Sequence, residues 1–318
     1  MIFDENDPRA SFLNELDMAS CRIEFSSKPV VLLCGGFSKL KTNINESKSS
    51  LRDAINNLTP PPSNFELFNP EHIKGWNADS LFPDLISFEK ELASICSLVV
   101  IILESEGALA ELGAFSQLEE LRTKLIAIRS ETYASCPSFI NLGILRFITA
   151  QNELAVKTYP WCIKNTSTIT TEITNDVIED INFTLRNLPK TQTFNRDLNS
   201  HIMTLICQII SLFIALKESE ISRFLNILDI HITHSSLRSQ LFILTEFKLI
   251  KKVEYSDSHF YMRDKAEYHK FNFSTKDKAK PFDYLRFRAS VSEYYSNNIS
   301  SHKNRQRAIS KSTKGVTT

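Results

Sequence analysis

Four glutamates, Glu71, Glu89, Glu104 and Glu111, occupy positions from which a carboxylate could act on a substrate. An ionised glutamate can attack the anomeric carbon of an activated sugar, or stabilise an oxocarbenium-like centre while water attacks. Carboxylates held near one another also push one pKa upward, which equips one of them for acid/base work. Glu111 lies in the run LVVIILESEGALAELGAF, residues 98–115. Alone it reads as an ordinary carboxylate in the first turns of a helix, favoured by the helix dipole. Its company makes it the candidate nucleophile. Gly107 and Gly113 flank it, Ala108, Ala110 and Ala114 add little bulk, and Glu104 and Ser105 close the preceding strand.

Other chemistries lack their parts. There is no GxGxxG and no GKS or GKT, so hydride and phosphoryl transfer are unsupported. His72 is the only histidine of the amino-terminal half, which argues against a Ser-His-Asp arrangement. The six cysteines show no CxxC spacing and the histidines no metal-binding pairing, so neither a metal nor a cofactor is expected.

The elements that would position these glutamates follow from apolar patterning. Residues 98–103 are an unbroken apolar run of the kind buried on both faces of a parallel sheet, and a helix follows from Ala108. VVLLCGGF, residues 30–37, predicts an earlier strand ending in Gly35 and Gly36, whose amides would be left open to a phosphate or sugar edge. Residues 65–68 predict a strand ending just before Glu71, and 85–96 a helix carrying Glu89. Further strands are expected at 124–129 and, at an edge, 156–162. Asn141 is either a turn residue or an amide reaching a ligand. Strand and helix in alternation predict an α/β fold built on a doubly wound parallel sheet.

Beyond it, helices at 201–216, 218–228 and 235–247 precede two short strands, the order of a winged helix-turn-helix. Arg238, Lys248, Lys251 and Lys252 are its candidate nucleic-acid contacts, although such modules also dock proteins. The expected divisions are an N-terminal helical extension (1–29), the α/β domain (30–165), a linker helix (166–195), the winged-helix domain (196–265) and a C-terminal extension ending in a disordered basic tail (266–318). Lys and Arg number 37 and Asp and Glu 37, so any nucleic-acid binding must be local rather than driven by net charge. No apolar run is long enough to span a membrane and no signal pattern opens the chain, so a cytoplasmic location is expected.

Strand-CGG, then NPE after a second strand, then ES-G-AELGAF after a third, resembles the nucleoside 2-deoxyribosyltransferase-like family, which is flavodoxin- or Rossmann-like in fold. More closely the chain resembles effector proteins of St85-type retrons, where such a domain is joined to a winged helix. The resemblance implies that Glu111 is the nucleophile and that Gly35, Gly36, Glu71, Glu89 and, by the SFIN run at 138–141, Asn141 contact substrate. Glu104, Ser105 and Gly107 complete the substrate-binding set. Ser105 stands where the transferases carry an aspartate, which separates this chain from their handling of a free base. The implied partners are a retron reverse transcriptase and its msDNA, a branched DNA-RNA hybrid, within a homo-oligomer or larger complex. The implied activity is N-glycosidic cleavage of a nucleotide, with NAD, or a related nucleotide, the leading candidate. Base exchange between deoxyribonucleosides and a non-catalytic nucleotide-sensing scaffold are the alternatives.

Overall fold

The computed structural model describes residues 7–39, 47–77, 81–279 and 282–314. In chain order, α1 (Pro8–Glu15) and β1 (Arg22–Glu24) precede β2 (Val30–Cys34), α2 (Leu51–Asn56) and β3 (Glu66–Phe68). Then come α3 (Leu85–Ile95), β4 (Leu98–Ile102), α4 (Glu106–Phe115) and β5 (Leu125–Ser130). A π-helical turn, Ile140–Leu145, runs into α5 (Arg146–Gln151), followed by β6 (Val156–Tyr159), α6 (Thr171–Asn187) and β7 (Thr191–Thr193). The remainder is α7 (Asn199–Leu212), α8 (Glu218–Ile227), α9 (His234–Glu246), β8 (Ile250–Tyr255), β9 (Ser258–Arg263), β10 (Lys270–Asn272), α10 (Tyr284–Asn297) and α11 (Ile299–Lys314).

Two compact units result, one from Ser27–Pro189 and the other from Met1–Ser26 with Lys190–Thr318. The first holds a five-stranded sheet of order β3-β2-β4-β5-β6, every pairing parallel. Its central strands β2 and β4 are apolar throughout because both faces are covered, whereas the edge strands β3 and β6 carry Glu66 and Lys157. Val31, Leu33, Val100, Ile102 and Ile128 pack with Leu51 and Ile55 of α2 and with Ile173, Val177 and Ile181 of α6. The intervening Leu32, Val99, Ile101 and Ala127 have no exposure either. This is the expected Rossmann-like arrangement.

Three expectations about organisation are corrected. The supposed linker helix is α6, whose apolar stripe completes the core of the sheet. The N-terminal extension is no appendage: β1 is the central strand of the antiparallel sheet β10-β1-β7, held between segments far along the chain. The basic tail is not disordered over its described part. It forms α11, with Arg305 and Ala308 buried, while residues 315–318 lie outside the described residues, as does the 40–46 part of the polar loop after β2.

In this second unit α7, α8 and α9 precede an antiparallel β8-β9 hairpin. Among the described residues no helix is long and apolar enough to cross a membrane.

Candidate active site

The carboxyl ends of β2 and β4 are neighbours where the sheet order reverses, the place at which open α/β sheets hold ligands. Ser105 caps α4 by accepting from the Ala108 amide at 3.2 Å, and its hydroxyl donates to the Gly35 carbonyl at 3.2 Å. The two loops are thus tied to each other.

Glu104 frames this crevice. Its carboxylate accepts from the backbone amides of Gly36 (3.1 Å), Leu51 (2.8 Å) and Arg52 (2.9 Å), and so caps the start of α2. Burial lifts its carboxyl, and these backbone bonds oppose the rise. Gly36 is required for this packing, since a Cβ there would stand 2.9 Å from both Glu104 Cγ and Ser50 Cβ. Its amide, expected to be open to a ligand, is therefore taken by Glu104.

By fixing the first turn of α2, Glu104 delivers a residue that sequence reasoning missed. The Arg52 side chain is 5% exposed and forks onto Glu71, Nη1 to Oε1 at 2.7 Å and Nη2 to Oε2 at 2.6 Å. Nη2 also donates to Asn69 Oδ1 at 3.0 Å, and Asn69 exchanges amide hydrogen bonds with Asn56. An arginine in the first turn of a helix opposes the dipole, and that oddity was the available signal. Partial burial pulls the Glu71 carboxyl up, but the bond and charge of Arg52 prevail and leave it below the usual range. On the outer side, Arg52 and Glu71 help line a cleft of about 570 Å³, a volume suited to a small ligand, together with Lys28, Asn56 and His72.

Glu111 and Glu89 complete the cluster. Glu111 is lifted by burial, a rise opposed by a hydrogen bond with the Cys34 thiol and by the charge of Arg52. Its Oε2 is buried and without a hydrogen-bond partner. Glu89, reached from α3, is pushed up to about 7 by burial and then by the charges of Glu111 and Glu71. Cys34, at the end of β2, is itself buried and its thiol is held protonated by burial and by Glu111. The arrangement brings together Glu71, Glu89 and Glu111 around one guanidinium and one thiol. One carboxyl held low by Arg52, one pushed up to about 7 and one with a buried, unpartnered oxygen form a set able to attack, donate a proton and orient hydroxyls.

Other expected site residues lie elsewhere. Gly107, in the first turn of α4, is exposed, and a Cβ there would stand 3.9 Å from the Ser105 hydroxyl. Asn141 accepts from Arg129 Nη1 at 2.8 Å and donates to the carbonyls of Tyr133 (2.7 Å) and Cys136 (2.8 Å). Those bonds anchor the π-helical turn. In the second unit, Arg238 donates to Glu218 at 3.2 Å and His234 meets the same carboxylate at 2.8 Å. Lys248 follows α9 with a φ of 55°, while Lys251 and Lys252 lie on β8.

A Rossmann-like parallel sheet with a carboxylate cluster at its reversal point defines the class of the α/β unit. The sequence matches the STM3845 retron effector protein family over residues 48–252, more than half of its length, and the chain belongs to that family. It is 31% identical over 131 residues to an Escherichia coli protein named "Retron Ec73 putative ribosyltransferase/DNA-binding protein", covering 40% of each chain. It is 32% identical over 134 residues to the Escherichia coli retron Ec86 protein of the same designation, covering 41% of this chain and 40% of that one. The matched region thus spans about two fifths of the length of these curated relatives.

Proposed function

We propose that this chain is the toxic effector of an St85-type retron anti-phage defence system, with a nucleoside deoxyribosyltransferase-like α/β unit that hydrolyses the N-glycosidic bond of a nucleotide, NAD foremost. The observation that carries this reading is Glu111: one carboxylate oxygen buried yet unpartnered, beside a second carboxyl pushed up to about 7. In the first step the Glu111 carboxylate attacks C1′ of the ribose, and the C1′–N bond breaks with its electron pair going to the base. Nicotinamide leaves neutral and takes no proton, whereas a purine or pyrimidine receives one from Glu89. Water then attacks C1′ and the bond to Glu111 breaks; the proton released by water restores Glu89 where a purine or pyrimidine took its proton, and passes on to solvent where neutral nicotinamide left. Glu71, held by Arg52, accepts a hydrogen bond from a sugar hydroxyl.

The names of the Ec73 and Ec86 relatives support glycosyl transfer and a DNA-binding role. The helix order α7, α8, α9 followed by the β8-β9 hairpin supports a winged-helix reading of the second unit. On this reading the partners are a reverse transcriptase and msDNA, which restrain the effector until infection. Homo-oligomerisation is part of it, and the exposed Phe139 and Leu142 on the π-helical turn support that.

Purified chain, with and without the reconstituted partners, should convert NAD to nicotinamide and ADP-ribose by chromatography with mass detection. Glu111→Gln should lose the turnover while keeping its far-UV spectrum and melting temperature. Unchanged turnover in that variant would remove Glu111 from the chemistry. The word ribosyltransferase in the relatives' names favours a second reading, base exchange, and an isotopically labelled free base decides between them. Its appearance in a nucleoside product establishes exchange, and its exclusion while water suffices establishes hydrolysis.

A further inference from the structure

The basic residues expected to meet nucleic acid on α9 are poorly placed for it. Arg238 and His234 share the carboxylate of Glu218, so their charge is offset, and Leu237, Gln240, Leu241 and Leu244 of the same helix are buried. A different surface carries cations that are not paired with carboxylates, the nearby Asp257 carboxylate accepting instead from Asn304 at 3.4 Å. Lys303, Arg307 and Lys311 recur every fourth residue along α11, and all three are exposed. At 1.5 Å per residue, four-residue spacing places them ~6 Å apart along one stripe ~12 Å long.

The stripe is held rigidly. On the opposite side of α11, Arg305 Nη1 donates to the Ala215 carbonyl at 2.6 Å and to Tyr295 Oη at 3.1 Å, while Nη2 meets Glu220 Oε1 at 2.6 Å. Ala308 packs with Ala215, Phe260 and Met262 against the β8-β9 hairpin. Residues 299–314 include no acidic side chain. Neither Lys303 nor Arg307 forms an ion pair among the described residues, and Lys311 Nζ bonds a carbonyl, that of Glu254 at 3.2 Å, rather than a carboxylate. Small exposed hydroxyl side chains accompany the cations, Ser310 between Arg307 and Lys311 and Thr313 past Lys311.

We propose that the outward face of α11, through Lys303, Arg307 and Lys311, grips the phosphate backbone of a duplex nucleic acid without reading its sequence. One strand of duplex presents a phosphate every ~3.4 Å of axis, so a ~12 Å stripe spans about three. Long cations with accompanying hydroxyls suit phosphate contacts that position a protein rather than discriminate bases. A membrane surface is the poorer fit, because Ala308 and Ile309 of α11 pack against the hairpin and the single exposed Ile299 at its start makes no continuous apolar face for a bilayer. The proposal deepens the nucleic-acid side of the function above and draws nothing from the Glu111 chemistry.

The test uses the full chain and a fluorescein-labelled duplex DNA of arbitrary sequence, titrated by anisotropy at several salt concentrations. K303Q/R307Q/K311Q should weaken binding at least ~10-fold near physiological salt and reduce the slope of log K against log salt by about 2 to 3. The single exchanges K303Q and R307Q should each reduce that slope by about 1, which keeps the test open should the triple variant fold poorly. R238Q/K248Q should retain the wild-type slope. The proposal is overturned if the wild-type chain does not bind duplex, if the triple variant binds with unchanged slope, or if loss follows the α9 exchanges alone. Equal or tighter binding to polyglutamate or to phosphatidylserine vesicles overturns it as well. Loss of turnover in E111Q tests the glycosidase reading separately, since that variant should bind duplex like wild type.

Discussion

Burial followed by the charges of Glu111 and Glu71 places the Glu89 carboxyl near 7, and this single shift has two measurable consequences. The first concerns stability. A carboxyl whose folded-state pKa lies above its ordinary 4.5 binds its proton more tightly when folded, so its contribution is complete below that value and is lost as pH rises to about 7. Glu89→Gln should therefore gain stability relative to wild type across that window, by on the order of 1 kcal/mol once solvent screening of the partly exposed group is allowed for. Urea unfolding at pH 4.5 and 8 reads this, and a constant difference between the two proteins refutes the assignment. The second concerns rate. With a purine nucleotide, which needs a proton on its leaving base, kcat/KM should fall above about pH 7 in wild type and be low throughout in Glu89→Gln. With NAD the alkaline limb should be absent, because nicotinamide leaves without protonation.

At the scale of elements, α11 is secured by a buried polar network. Glu220 on α8 accepts from Arg305 at 2.6 Å and from Arg9 of α1 at 2.9 Å, and Tyr295 on α10 accepts from both arginines at 3.1 Å. Removing one cation strands part of a buried carboxylate, which is costlier than losing a surface pair. Arg305→Ala should destabilise the second unit by about 3 kcal/mol. Differential scanning calorimetry should show the loss in the transition of that unit, while a mobile tail at this position would leave the thermogram unchanged. Surface exchanges at Lys303 or Arg307, by contrast, should leave it within about 0.5 kcal/mol.

For the whole molecule, the chain leaves one unit and returns to it. Residues 27–189 contain the complete parallel sheet with α2, α3, α4 and α6, so that fragment should fold alone and melt cooperatively. Residues 190–318 lack β1, the strand between β10 and β7, and lack Arg9 and Phe12, which are buried in the same unit. That fragment should be unfolded or aggregate by itself and recover secondary structure when residues 1–26 are fused to it. Circular dichroism of the two fragments and the fusion decides, and a stable 190–318 fragment would contradict the pairing.

The local devices were legible in the chain because each is written in consecutive residues. Unbroken apolar runs gave β2, β4 and β5, and the small residues around Glu111 marked its helix as a place of close approach. Glu71 and Glu89 could be placed just past a strand and on a helix for the same reason. What gathered them was decided only in three dimensions. Arg52 gave almost no local sign of its role, since its partners Glu71 and Asn69 come from a different strand end, and its position depends on Glu104 capping α2 from β4. Sequence likewise presented Arg305 as one cation in a basic tail. Its burial follows from a carboxylate 85 residues earlier, and α6 read as a linker until the sheet supplied the apolar surface its stripe covers. Patterning determines which residues leave water and which backbone they adopt. The partner each buried charge finds is set by tertiary contact, because compensation of a desolvated charge depends on distance in space and not on separation along the chain.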